Sequence, residues 1–160
     1  MEWLDAIIAD HKIKAKDAGE VAKLEHEKKI KELEQKITAT NHAITTLIKP
    51  LFEAVEAKLK SEGYATEITT TEREERQTKR KAFEKIALVI SRSHSTSNLS
   101  DGLEPAFRIM ININDGKATV SSRTNTFSEF AERTIRLENL TPTIIEPMLQ
   151  QYFKEFFAVN

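Results

Sequence analysis

Apolar residues recur in alternating steps of three and four along the first third of the chain. One set of heptad positions holds Ile30, Ile37, Ile44 and Leu51; the other holds Leu33, Thr40, Leu47 and Ala54. A stripe of this period sustained over about three and a half heptads predicts a helix with a coiled-coil seam. In parallel coils, β-branched residues in the first set with Leu in the second lean toward dimers, an inference that Thr40 and Ala54 weaken; the pattern leaves parallel or antiparallel orientation open. Upstream the frame slips, and a second stripe runs Leu4, Ile8, Ala15, Ala18, Ala22. The two stripes join through His26 by four-residue steps in a continuous or mildly bent helix. The alternative is a break at Gly19, where Asp17 and Glu20 have capping-box spacing. Pro50 either kinks this helix or opens a new one, and Gly63 is a natural stop.

Beyond residue 62 the period changes from helical to alternating. Tyr64–Thr71 and Phe83–Ser93 read as strands, the second apolar on both faces as suits a central strand. Glu72–Lys81 reads as a polar loop or exposed hairpin arms, and Ser93–Glu104 as a Ser-rich loop. Phe107, Ile109, Ile111 and Ile113 alternate with Arg108, Met110 and Asn112, and Asn114-Asp115-Gly116 then leads into Lys117–Thr126. Asp-Gly between two such runs predicts a β-hairpin. Arg133–Leu137 is a last short strand. Thr141-Pro142 opens a helix whose broad apolar face carries Ile144, Ile145, Met148, Leu149, Tyr152, Phe153 and Phe156. The fold class expected is α+β: a long N-terminal coiled-coil helix, then an antiparallel meander covered on one face by helices, with the other face wet. The division expected is a stalk over residues 1–49 and a small two-layer domain over residues 50–160.

Composition sharpens the division. Every basic residue before residue 62 is Lys, and every Arg comes after it, with both Tyr and all Phe except Phe52. A formal net charge of −1 gives no overall pull toward nucleic acid or anionic lipid. The chain has no Cys, which removes disulfides, thiolate metal sites and Cys catalysis and suits a reducing cytoplasm. No apolar run approaches the roughly 18 residues of a membrane span, and the N-terminus lacks the pattern of a signal peptide.

Little chemistry is signalled. His11, His26 and His42 share no metal-binding spacing, so neither a metal nor another cofactor is expected. Ser93, His94, Ser95 and Asp101 contain the residue types of a nucleophilic site but no Gly-x-Ser-x-Gly turn. The Glu72, Glu74 and Glu75 cluster is interleaved with Arg and Lys, as a solvated loop would be. Arg108, Asn112 and Arg123 are candidates for a ligand face on the wet side of the sheet, Arg being suited to bidentate contacts with phosphate or carboxylate. Stacking aromatics are missing from that face, which argues against nucleic acid. The function expected is a non-enzymatic assembly or adaptor protein in the cytoplasm. It would self-associate, most simply as a dimer, through Ile30, Leu33, Ile37, Thr40, Ile44, Leu47 and Leu51, and present a protein-recognition domain. The alternatives are acidic-ligand or nucleic-acid binding through the Arg face, and a small hydrolase using the Ser/His loop.

Overall fold

The computed structural model describes residues 1–91, 104–126 and 128–159. A helix α1 (Glu2–Ala43) passes through a π-helical turn (Ile44–Ile48) into α2 (Lys49–Ser61). Five strands follow: β1 (Ala65–Glu74), β2 (Lys81–Ser91), β3 (Ala106–Asn112), β4 (Lys117–Arg123) and β5 (Ala131–Arg136). After a 3-10 turn at Leu137–Asn139 the chain closes with α3 (Pro142–Val159). The strands form one antiparallel meander in chain order, so the α+β class expected from the alternating pattern is the one found. Gly19 does not break the helix: nothing lies near it, and its cost inside a helix is only about 1 kcal/mol.

One sheet face makes the core. Ile86, Leu88 and Ile90 of β2, Phe107 and Ile109 of β3, and Val120 of β4 pack against Ile44, Ile48, Phe52 and Leu59 on one helix and Ile145, Leu149, Tyr152 and Phe156 on the other. The Phe107 ring meets Phe52 edge-on at 5.9 Å and Tyr152 at 5.8 Å, tying both helices to the central strand. A smaller cluster of Leu33, Ile37 and Ala82, with Ile113 beside it, extends the helix–sheet contact toward the N-terminus.

The heptad frame does not survive Pro50. Leu33, Ile37, Thr40 and Ile44 are buried in three- and four-residue steps, but the next buried residues are Ile48 and Phe52. Leu47 stays 39% exposed and Leu51 is half-buried. The π turn is the cause. The Lys49 N–H reaches back five residues to the Ile44 carbonyl, and the extra residue in that turn shifts the following face by one position. Pro50 has no N–H to offer the Thr46 carbonyl, and its ring would crowd that oxygen in a regular α-helix. A wide turn just before it removes the conflict.

A side-chain clamp fixes where the helix leaves the sheet. β2 pairs with β3 only over Lys85–Val89, so Lys81–Glu84 are left without that partner. There Asn41 takes the place of the missing backbone: its Nδ2 donates to the Lys81 carbonyl at 3.0 Å and its Oδ1 accepts the Phe83 N–H at 3.1 Å. Arg80 adds an ion pair to Glu34 at 3.4 Å and donates to the Thr38 hydroxyl at 3.3 Å. The β1–β2 turn is held by Glu75, whose carboxylate accepts the N–H groups of Gln77 at 3.0 Å and Thr78 at 2.6 Å. Partial desolvation would raise its pKa, but those bonds and nearby Lys79 outweigh it, and the pKa lies below the ordinary value.

The β3–β4 connection is longer than a two-residue Asp-Gly turn. Asn112 and Lys117 are the last pair, leaving a four-residue loop that ends on Gly116 at φ +65°. Asn112 braces it, donating to the Asp115 carboxylate at 2.7 Å and accepting the Asp115 N–H at 3.1 Å. The register differs by two from that of a tight turn, and an even shift keeps every side chain on its face.

The π-shifted face is testable by a pair of neighbours. Ile48→Ala should lose about 2–4 kcal/mol, the range for a fully buried aliphatic residue. Leu47→Ala, at the heptad position one residue away, should lose less than about 1 kcal/mol. Urea unfolding of both variants decides between the two phases; equal losses would contradict the π turn.

Candidate functional site

The outer sheet face, opposite the helices, is not simply wet. Ala65, Ala87, Val89 and Ala106 form a second small buried cluster there, with Phe130 packed on it. Ser91 and Ser121 on the same face are buried too. Register places Arg108 opposite Ser121 and Arg123 opposite Ala106, so both arginines project away from the Ile109 side, as the alternation requires. Each then turns onto one ring. The Arg108 guanidinium lies 3.6 Å from the Phe130 centroid and that of Arg123 lies 4.6 Å from it.

The hydrogen bonds show how much of each arginine is used internally. Arg108 Nε donates to Ser121 Oγ at 2.8 Å. Arg123 Nε donates to the Glu104 carbonyl at 3.2 Å, and its own carbonyl accepts the Tyr152 hydroxyl at 3.0 Å. Arg123 Nη2 is buried without a hydrogen-bond partner among the described residues, and the aromatic face is the electron-rich surface beside it. Burial holds the Tyr152 hydroxyl well above its ordinary pKa, against the opposing pull of the Arg123 charge. Asn112, the third residue of the expected ligand face, braces the β3–β4 loop. Arg108, Asn112 and Arg123 therefore each have a structural task.

Other candidates fall out in turn. Ser93, His94, Ser95 and Asp101 lie outside the described residues. Among the described residues no cluster of His, Asp and Glu could hold a metal ion, and no helix is long and apolar enough to cross a membrane. Of the expected association seam, Leu33, Ile37, Thr40 and Ile44 are buried within the chain itself, Ile30 and Leu51 are half-buried, and Leu47 is exposed. Such a seam needs no second chain from Leu33 to Ile44.

What the structure leaves unsupported lies upstream. Residues 1–29 are all exposed except half-buried Leu4, although α1 runs through them without interruption. Helix rise makes residues 2–29 an arm about 42 Å long. Along it Trp3 is 65% exposed, Leu24 65%, and Ile7, Ile8, Ile13 and Val21 are exposed as well. The Asp10–Lys14 ion pair at 3.0 Å is solvated and contributes little. An apolar groove of about 440 Å³ between α2 and α3, lined by Leu51, Val55, Leu149, Phe153 and Phe157, is a second exposed apolar feature.

Three features had weak signals in the sequence. Phe130 lies in a polar stretch whose other aromatic residue is Phe127, and an aromatic in such a stretch hints at an anchor. Asn41 sits among apolar helix positions as an amide with no obvious local partner. The exposure of the arm follows only from where the sheet ends. The chain matches no protein family, no curated protein and no solved structure.

The clamp on the outer face predicts a stability effect. Phe130→Ala should destabilise by about 1–3 kcal/mol, combining lost burial with two cation–π contacts. Arg108→Ser and Arg123→Ser should each cost about 1 kcal/mol. Denaturant midpoints measure all three; a neutral Phe130→Ala would mean the arginines are simply solvated.

Proposed function

We propose that this chain is a non-enzymatic assembly protein in which the α+β domain anchors a helical arm and the arm associates with a second copy of the chain. The observation that carries this reading is the arm itself, uncovered over residues 1–29 and studded with large apolar residues. Helices in proteins draw most of their stability from packing an apolar face, and an arm without a partner would fray. Large apolar side chains left exposed along an otherwise solvated helix support an interaction site there. The reading keeps self-association, with a dimer as its simplest form, and moves it upstream from the Ile30–Leu51 seam. A cytoplasmic setting and a further protein partner on the domain are part of the same proposal; the cysteine-free sequence suits the former.

Sedimentation of the full chain at several concentrations tests it. The full chain should be a dimer at micromolar concentration, with helix content that falls on dilution. A chain beginning at Ile30 should be a folded monomer, because it retains Leu33, Ile37, Ile44 and Ile48 in the core. A full chain that stays monomeric throughout overturns the proposal.

A further inference from the structure

The sheet has two edges, and they differ. β5 is short and carries Glu132, Arg133 and Arg136, charges of the kind that keep an edge from pairing. β1 is longer, and its residues 65–71 hold one charge, Glu67, among β-branched side chains. A bulge and the charged residues 72–74 protect only its far end. The Ile90 N–H donates to the Pro105 carbonyl at 3.0 Å, which fixes the phase of β2: its even-numbered residues turn their backbone groups toward β3. Val89, Ala87 and Lys85 turn theirs toward β1, where register pairs them with Glu67, Thr69 and Thr71. Thr66, Ile68 and Thr70 therefore point their N–H and C=O groups outward, and no strand among the described residues lies beyond them.

The side chains of the same three residues lie on the helix-covered face. Thr66 is buried, and Ile68 packs against the main core. α2 runs beside this edge and leaves a groove of about 470 Å³, to which it contributes Lys49, Glu53, Glu56 and Lys60. Their spacing of three and four keeps them on one side of the helix. The Thr66 hydroxyl, in the groove lining, is buried without a hydrogen-bond partner, a deficit that a polar group on an incoming segment would relieve. An open edge takes up an extended polypeptide as a further strand, main-chain bonds giving affinity and alternate side chains specificity. Here α2 is placed to read those side chains.

We propose that the β1 edge and α2 form a docking groove for an extended segment of a partner protein, with a Lys or Arg of that segment facing α2. This gives a site and a chemistry to the further protein partner proposed above and rests on that reading.

Charge selects the occupant. Glu53, Glu56 and Glu67 line the groove against Lys49 and Lys60, and Lys60 is already 3.6 Å from Glu56, so the surplus is acidic. The β1 strand of a second copy would bring Glu67 and Glu72 and no basic residue over residues 65–72, adding like charge. A strand that sets one ammonium or guanidinium group beside Glu53 and Glu56 offsets the surplus instead.

Nuclear magnetic resonance on the full chain tests this. In the free chain the amides of Thr66, Ile68 and Thr70 should exchange with solvent much faster than those of Glu67, Thr69 and Thr71; equal protection of the two sets overturns the open edge. The probe is a blocked peptide, Thr-Thr-Val-Lys-Val-Thr-Thr, beside the same peptide with Glu in place of Lys. At low salt the Lys peptide should bind about tenfold more tightly, shift β1 and α2 resonances, and slow exchange at Thr66, Ile68 and Thr70. The double variant Glu53→Lys, Glu56→Lys should reverse the preference. Thr70→Pro, whose missing N–H falls on the open edge, should keep a folded spectrum and lose the peptide; where it does not fold, the charge swap decides. No binding at millimolar peptide, equal affinity for both peptides, or a preference that the charge swap leaves unmoved overturns the proposal. Sedimentation reads association of the arm separately, so self-association stands or falls on its own result.

Discussion

The burial of one helix stripe on the meander is the contact on which the remainder of the molecule depends. Leu33, Ile37, Ile44, Ile48 and Phe52 place about five turns of a single helix against β2, β3 and the β3–β4 loop. Full burial of an aliphatic or aromatic side chain contributes roughly 1.5–3 kcal/mol, so this stripe is a large share of what stabilises a domain of this size. It could not be continuous in a regular helix. Pro50 would put a clash and an unmet carbonyl in the middle of it. The π turn at Ile44–Ile48 resolves both and hands the contact from the heptad frame to Ile48 and Phe52. That irregular turn is thus what allows one helix to serve as both domain layer and arm.

The opposite sheet face illustrates how a charged residue can be misread. Arginine on a polar face suggests a ligand, because a guanidinium in water is free to bind anions. Here both guanidiniums lie against the Phe130 ring, whose chain segment crosses the small residues Ala87, Val89 and Ala106. The arginines supply hydrogen bonds to Ser121 and to the Glu104 carbonyl as well. A cation already desolvated against an aromatic ring and held by internal acceptors has less to gain from an anion than a solvated one. The lower rank of the acidic-ligand reading follows from that geometry rather than from net charge.

Much of the domain could be read from pattern. The alternation of Phe107–Ile113 gave β3 and its buried face, Thr141-Pro142 gave the start of α3, and Asp115-Gly116 gave the connection between β3 and β4. These are local signals, set by backbone preference within a few residues. What escaped depends on distant partners. A heptad stripe reports that one side of a helix will be buried, and it is indifferent to whether a second helix or a sheet of the same chain buries it. Leu33 to Ile44 are therefore correctly legible as buried and silent about what buries them. The π turn was hinted at by Pro50, but a kink or a new helix would have met the same constraint. Phe130 and Asn41 act only across the fold, on residues that sequence separation hides.

Holding an arm out from a domain costs nothing in helix-side strain, but a rod attached by one flexible joint would gain little from association. Ordering two arms relative to their domains would then oppose binding, along with lost translational and rotational freedom. The clamp at the end of the sheet changes that balance. Asn41 bonds two backbone groups of β2, Arg80 reaches Glu34 and Thr38, and Leu33 and Ile37 pack on Ala82 and Ile113. These contacts sit at the last point where helix and sheet touch, so they set the direction in which the arm departs. Under the proposed self-association, an arm aimed before it meets a second copy would forfeit less freedom on binding. In the assembly proposed above, polar contacts that contribute modestly to folding, placed where the helix leaves the domain, would act on association through preorganisation.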